Sequence, residues 1–134
     1  DKLSLASLAA TLVHYVRDEA EQEIPVWRMI SMSKEILKKR AQSWKRTLGR
    51  NYEVEEGRSA VGGGSLPGET LPTWMLAVDC QVVDGGAQEV MRRLRNCRPP
   101  VVARIEADRV LLDPRTVSPE EDSDLLMALR ASVG

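Results

Sequence analysis

Few residues of this chain have the means to do chemistry, and they are scattered. They are one histidine (His14), two cysteines (Cys80 and Cys97), Lys2 beside the first residue, Arg104 in a strand-like segment, and the glycine-rich run GGGSLPG from Gly62 to Gly68. His14 falls on a helical row with Ser7, Thr11 and Asp18, a polar face, and reads as a solvated histidine. A general base needs a nucleophile within hydrogen-bond reach, and none can be placed beside it. Cys80 and Cys97 lack CxxC spacing and read as two free, buried thiols of a reducing compartment. No group of His, Cys, Asp or Glu has metal-ligand spacing, so no metal is expected. A lysine can form a Schiff base, but Lys2 has no strand before it to position it and is assigned no catalytic role.

The glycine run excludes more than it suggests. A P-loop requires GxxxxGK[ST], and no lysine follows Gly68. A dinucleotide fingerprint requires GxGxxG opening a helix, whereas Pro67 falls where its third glycine would be and the run leads into a strand. A flexible linker is the alternative, but Leu66, Leu71 and Trp74 are apolar anchors of a kind that linkers lack. The favoured reading is an ordered loop lining a site. Arg104 lies in "VVARIEA" on the strand face opposite Val101, Ala103 and Ile105. It either pairs with Glu106 or Asp79, or projects into a cleft and binds an anion.

The elements that must position these residues follow from periodicity. Leu5, Leu8, Ala9, Leu12 and Val16 recur at helical spacing, which predicts an amphipathic helix from residue 3 to about 18 with one buried stripe. Pro25 is expected to break any helix in "EIPVWRMI", leaving Ile24 to Ile30 as a buried apolar connector. Ser33 caps a second helix with a stripe of Leu37, Ala41, Trp44 and Leu48, ended by Gly49. Residues 51–57 read as a short strand, and 74–82 alternate with period two as another. Asp84-Gly85-Gly86 is a turn, and Ala87, Val90, Met91 and Leu94 give the face of a third helix. Residues 101–113 read as a hairpin turning near Ala107-Asp108. Ser118, Pro119 and Glu121 form a capping-box start for a last helix. The sum is α+β: a small, mostly antiparallel sheet with helices packed on one face.

Composition bounds the rest. The 134 residues suit one domain, with 43% hydrophobic and 29% charged residues. The net charge of −1 and 4% aromatic content argue against a dedicated basic nucleic-acid module or a base-stacking platform. Two basic runs stand out, one of Lys34, Lys38, Lys39, Arg40, Lys45 and Arg46, the other of Arg92, Arg93, Arg95 and Arg98. They read as solvated faces; a patch touching RNA phosphates is the alternative, with salt-dependent binding as its signature. No apolar run approaches the ~20 residues needed to span a membrane. Because the first residue is Asp1 rather than Met, a processed chain or an excised piece is expected.

The segments "DKLSLASLAATL", "EIPVWRMI", "VGGGSLPGETLPTW" and "RPPVVARIEADRVLLDPRTVSPEED" follow one another as they do in bacterial selenocysteine synthases, the L-seryl-tRNA(Sec) selenium transferases, and the chain resembles that family over nearly its whole length. The resemblance implies the C-terminal portion of a cytoplasmic, oligomeric pyridoxal-phosphate enzyme of fold type I. In that reading residues 1–18 are a helix linking to a missing large domain, and 19–134 are the small C-terminal domain. The family's Schiff-base lysine lies upstream, and Lys2 matches a lysine that follows it. The piece alone would then bind no cofactor and be inactive. The partners implied are the rest of the enzyme, its oligomer mates, seryl-tRNA(Sec) and selenophosphate, with no membrane. By analogy with related fold type I enzymes, Gly63, Gly64, Ser65, Leu66 and Pro67 resemble an active-site loop, and Arg104 resembles an arginine that contacts substrate. The rival readings are a non-catalytic RNA or protein interaction domain and the small domain of another pyridoxal-phosphate lyase.

Overall fold

Asp1 opens the first helix by accepting a hydrogen bond from the Leu3 amide at 3.1 Å. In the computed structural model, which describes residues 1–62 and 68–134, that helix is α1 (Lys2–Val16). The chain divides into two compact units, Asp1–Ser33 and Lys34–Gly134. The sequence reading sets its division after residue 18.

The first unit contains α1, α2 (Ala20–Glu23) and α3 (Pro25–Ser31). Pro25 starts a helix here rather than breaking one, because at the first helical position its missing N–H would have had no partner anyway. The expected buried connector is therefore helical, and Val26 and Trp27 are exposed. The expected buried stripe of α1 is likewise exposed: Leu5 is 67%, Leu8 56% and Leu12 50% accessible. No residue of these three helices is buried. Polar contacts tie the unit together, with Trp27 Nε1 donating to Tyr15 Oη at 2.6 Å and His14 Nδ1 2.9 Å from Glu19 Oε1.

The second unit starts with α4 (Lys34–Leu48), which buries Leu37, Ala41 and Trp44 as its spacing requires. Gly49 ends it at φ +101°, a conformation open to glycine at little cost. β1 (Tyr52–Ala60) and β2 (Thr70–Val78) form an antiparallel hairpin in register from Tyr52–Val78 to Ala60–Thr70. Both strands lie nearer the glycine run than their sequence patterns suggest. β2 stops at Val78 because Asp79 Oδ1 accepts from the Gln81 amide at 3.0 Å and turns Cys80–Val82 into a 3-10 helix. Next come α5 (Gly86–Arg95), β3 (Arg104–Glu106) and β4 (Arg109–Leu112). Ala107 and Asp108, both at positive φ, make the two-residue turn expected between β3 and β4. The Ser118–Glu121 capping box leads through a 3-10 turn into α6 (Asp122–Val133).

The four strands are antiparallel in the order β1-β2-β4-β3. Alternation sends Tyr52, Leu76, Val78, Val110 and Leu112 into one core with Trp44 of α4, Leu94 of α5 and Leu129 of α6. The Tyr52 hydroxyl donates to the Leu129 carbonyl at 3.2 Å. Arg40, read from sequence as part of a solvated face, is instead a clamp. Its Nε donates to both Asp122 carboxylate oxygens at 3.1 Å, and its Nη1 donates to the Pro114 and Val117 carbonyls at 2.8 and 2.7 Å. Among the described residues the opposite sheet face carries a small apolar cluster of Met75, Ala77 and Leu111.

Candidate site on the open face of the sheet

The same alternation that fills the core leaves Glu55, Gly57, Ser59, Thr73, Met75, Leu111, Arg104 and Arg109 on the face opposite the core. Met75, Ala77 and Leu111 are nevertheless buried there, at 1, 1 and 5% exposure. Charged side chains lie across them. Arg109 of β4 donates to both Glu55 carboxylate oxygens at 2.6 and 3.1 Å, reaching β1 over the intervening β2. Arg104 Nη2 approaches Met75 Sδ at 3.1 Å and Glu106 Oε2 at 3.3 Å, and its Nη1 donates to the Arg58 carbonyl at 3.2 Å. β3 and β1 are the two edges of the sheet. One side chain joins them only because the sheet twists and curls this face inward. Gly57 gives Met75 its place, since a Cβ there would lie 2.8 Å from the Met75 sulfur.

Of the two alternatives for Arg104, the pairing with Glu106 is present, and the side chain is still 47% exposed. A guanidinium anchored on one side and open on the other can accept an anion. Gly63, Gly64, Ser65, Leu66 and Pro67 lie outside the described residues. Their anchorage is described: the Val61 amide donates to the Glu69 carbonyl at 3.3 Å, one step past the last strand pair.

Beside that anchorage is a polar cluster that sequence reasoning missed. Asp113 Oδ1 accepts from Thr73 Oγ1 at 2.9 Å and from the Arg115 amide at 2.9 Å, and its Oδ2 accepts from Ser59 Oγ. Arg115 is 5% exposed, and donates from Nε to Ser59 Oγ at 3.1 Å and from Nη2 to the Pro72 carbonyl at 2.9 Å. Burial pushes its pKa below the usual arginine value, against the pull of Asp113. The signal in the sequence is "DPR" directly after an apolar strand, where Asp113 caps a 3-10 turn that begins at Pro114. With three donors on its carboxylate, Asp113 is committed to structure. Among the described residues of this face no nucleophile–base pair forms, and what they offer is the means to bind and position a ligand.

The remaining candidates lie on other elements than the strands. Lys2 lies in the first turn of α1. Both cysteines are free, but only Cys80 is buried, with its thiol pushed up chiefly by burial; Cys97 is half-buried, which corrects the expectation of two buried thiols. In the second basic run, Arg92 and Arg93 both donate to Glu89, at 2.7 and 2.8 Å, and hold its carboxyl down at about 2. Among the described residues no group of three or more His, Cys, Asp or Glu could hold a metal ion, and no helix is long and apolar enough to cross a membrane.

Residues 1–118 match the family model described as SelA, L-seryl-tRNA selenium transferase. Proteins named L-seryl-tRNA(Sec) selenium transferase are similar to the chain. The one from Clostridium botulinum (strain 657 / Type Ba4) is 40% identical over 133 residues, 95% of this chain and 28% of that protein. The Maridesulfovibrio salexigens protein is 43% identical over 130 residues, 90% of this chain and 27% of its own length. The Geotalea daltonii protein is 44% identical over 144 residues, 99% of this chain and 30% of its own length. The chain thus spans under a third of the length of these relatives.

Proposed function

The chain belongs to the L-seryl-tRNA selenium transferase family, and from that premise we propose that it is the C-terminal part of a cytoplasmic, oligomeric selenocysteine synthase. The whole enzyme would convert seryl-tRNA(Sec) to selenocysteinyl-tRNA(Sec) with selenophosphate. Residues 1–18 would form the helix that links to a large domain, and the small α+β domain would be that of a fold type I enzyme. The observation that carries the reading is the open sheet face, where a half-exposed guanidinium sits on the strand system that carries the glycine loop.

Pyridoxal phosphate, when bound in the whole enzyme, supplies an electron sink for reaction at the serine Cα. In this reading the residues of this chain do not complete a site for it. Every lysine lies in α1 or α4, and none is on a strand of the sheet. As the family resemblance implies, the chain alone is read as inactive, with the Schiff-base lysine supplied from outside these residues. Its own part is positional. Arg104, steadied by the Arg58 carbonyl and Met75, would hold phosphate oxygens of the substrates, since the serine of seryl-tRNA is an ester with no free carboxylate. Gly63, Gly64, Ser65, Leu66 and Pro67 would line the same cleft.

The test uses the whole enzyme. Arg104→Ala is expected to lower kcat/KM for selenium transfer by roughly ten- to a hundredfold, the loss of one charge-assisted contact. Ser65→Ala is expected to lower it less. Unchanged turnover in both folded variants removes these two residues from the site.

A further inference from the structure

The structure separates two basic runs that look alike in sequence. In the later run Arg92 and Arg93 share Glu89 and Arg93 also donates to the Ser132 carbonyl at 3.2 Å, while Arg95 and Arg98 have no carboxylate within ion-pair distance among the described residues but line no groove with the α4 cations. In the earlier run, Arg40 is clamped to Asp122 and Lys34 is paired with Glu56 at 3.0 Å. That leaves Lys38, Lys39, Lys45 and Arg46, none of which has a carboxylate within ion-pair distance among the described residues.

Three of these four line one groove. Lys38, Gln42, Lys45 and Arg46 recur at i, i+4, i+7 and i+8 along α4, and face Val54 of the edge strand β1 and the Trp74 ring. No carboxylate lines it. The row extends about 12 Å, eight residues at the helical rise of ~1.5 Å. Trp74 fixes one end: Lys38 Nζ lies 4.0 Å from the ring centroid and Lys34 Nζ lies 5.6 Å from it. Cation–π attraction holds an ammonium there without neutralising it.

We propose that this groove between α4 and the β1 edge binds the sugar-phosphate backbone of an RNA. The inference rests on the reading above that the enzyme's substrate is carried on RNA, and adds a contact surface to it. A protein partner suits the groove less well. Protein interfaces are centred on apolar and aromatic anchors and are depleted in lysine. Here the indole is already covered by ammonium groups, and apart from Val54 the remaining lining is cationic or amide. Phosphate contacts ask only for cations in a row.

The probe is fluorescently labelled, deacylated tRNA, titrated with the 134-residue chain at a series of KCl concentrations. Each neutralised phosphate contributes roughly 0.7–0.9 to the slope of log K against log salt. The triple variant Lys38→Gln/Lys45→Gln/Arg46→Gln is expected to reduce that slope by about 2 to 3 and to weaken low-salt binding by at least about tenfold. A control of equal charge change, Lys2→Gln/Arg95→Gln/Arg98→Gln, is expected to leave both nearly unchanged. Circular dichroism checks that both variants fold. Equal losses in the two variants, no loss in the first, or competition by polyglutamate as effective as by unlabelled tRNA would each overturn the assignment. The assay involves no selenium transfer. An enzyme active in transfer with an inert groove sinks this inference alone, and a tRNA-binding groove in a protein without transfer activity sinks the functional reading alone.

Discussion

Tyr52 shows how one side chain can be read in part from the sequence. Alternation puts it on the core face of β1, but its hydrogen bond to the Leu129 carbonyl depends on where α6 comes to rest. Burial pushes its pKa up to about 12. The folded state favours the neutral phenol, so this contribution is complete below the ordinary value near 10 and is lost as pH rises toward 12. Tyr52→Phe is expected to cost about 1 kcal/mol at neutral pH for the lost hydrogen bond, and to shrink the fall in stability above pH 10. Urea unfolding at pH 7 and pH 11 measures both; an equal alkaline loss in the two proteins would refute the account. The arginines make the same point. Arg40, Arg92 and Arg104 are chemically identical in the sequence, and end as a clamp, a helix-surface ion pair and a half-exposed guanidinium. Which of these an arginine becomes depends on the carboxylates and carbonyls brought near it from distant parts of the chain.

Among the elements, those with one apolar stripe and a clear stop were the most legible. α4, with Leu37, Ala41 and Trp44 before Gly49, and the turn at Ala107-Asp108 stand where their patterns place them. Strand ends were misplaced because local hydrogen bonds outweigh alternation, as Asp79 does after Val78. The docking of α6 on α4 had no local signal. It depends on Arg40, whose guanidinium satisfies Asp122 and two carbonyls of the preceding turns. Arg40→Ala is expected to lower unfolding free energy by about 3 kcal/mol, because it strands a partly buried carboxylate and two acceptors. Arg40→Lys should restore only part of this, lacking the planar fork. A loss below about 1 kcal/mol for the alanine variant, in urea denaturation, would show that the clamp contributes little.

For the molecule as a whole, stability should reside in residues 34–134. Among the described residues that unit holds every buried one, and α1, α2 and α3 hold none. Deleting residues 1–33 is therefore expected to leave a cooperative thermal transition with Tm moved by less than about 4 °C, under ~1 kcal/mol for a domain of this size. Loss of the transition would show that the first unit supports the second. Period and punctuation in the sequence determine the helices with a clear apolar stripe and stop, the existence of the strands, that the class is α+β, and, through its run of motifs, the family. Those properties depend on neighbours a few residues apart. The open face, the Ser59–Thr73–Asp113–Arg115 cluster and the division of the basic residues into spent and unspent were decided by tertiary structure. Strand order and sheet curl set the distances between side chains far apart in sequence, and an ion pair or a buried hydrogen bond exists only at such a distance.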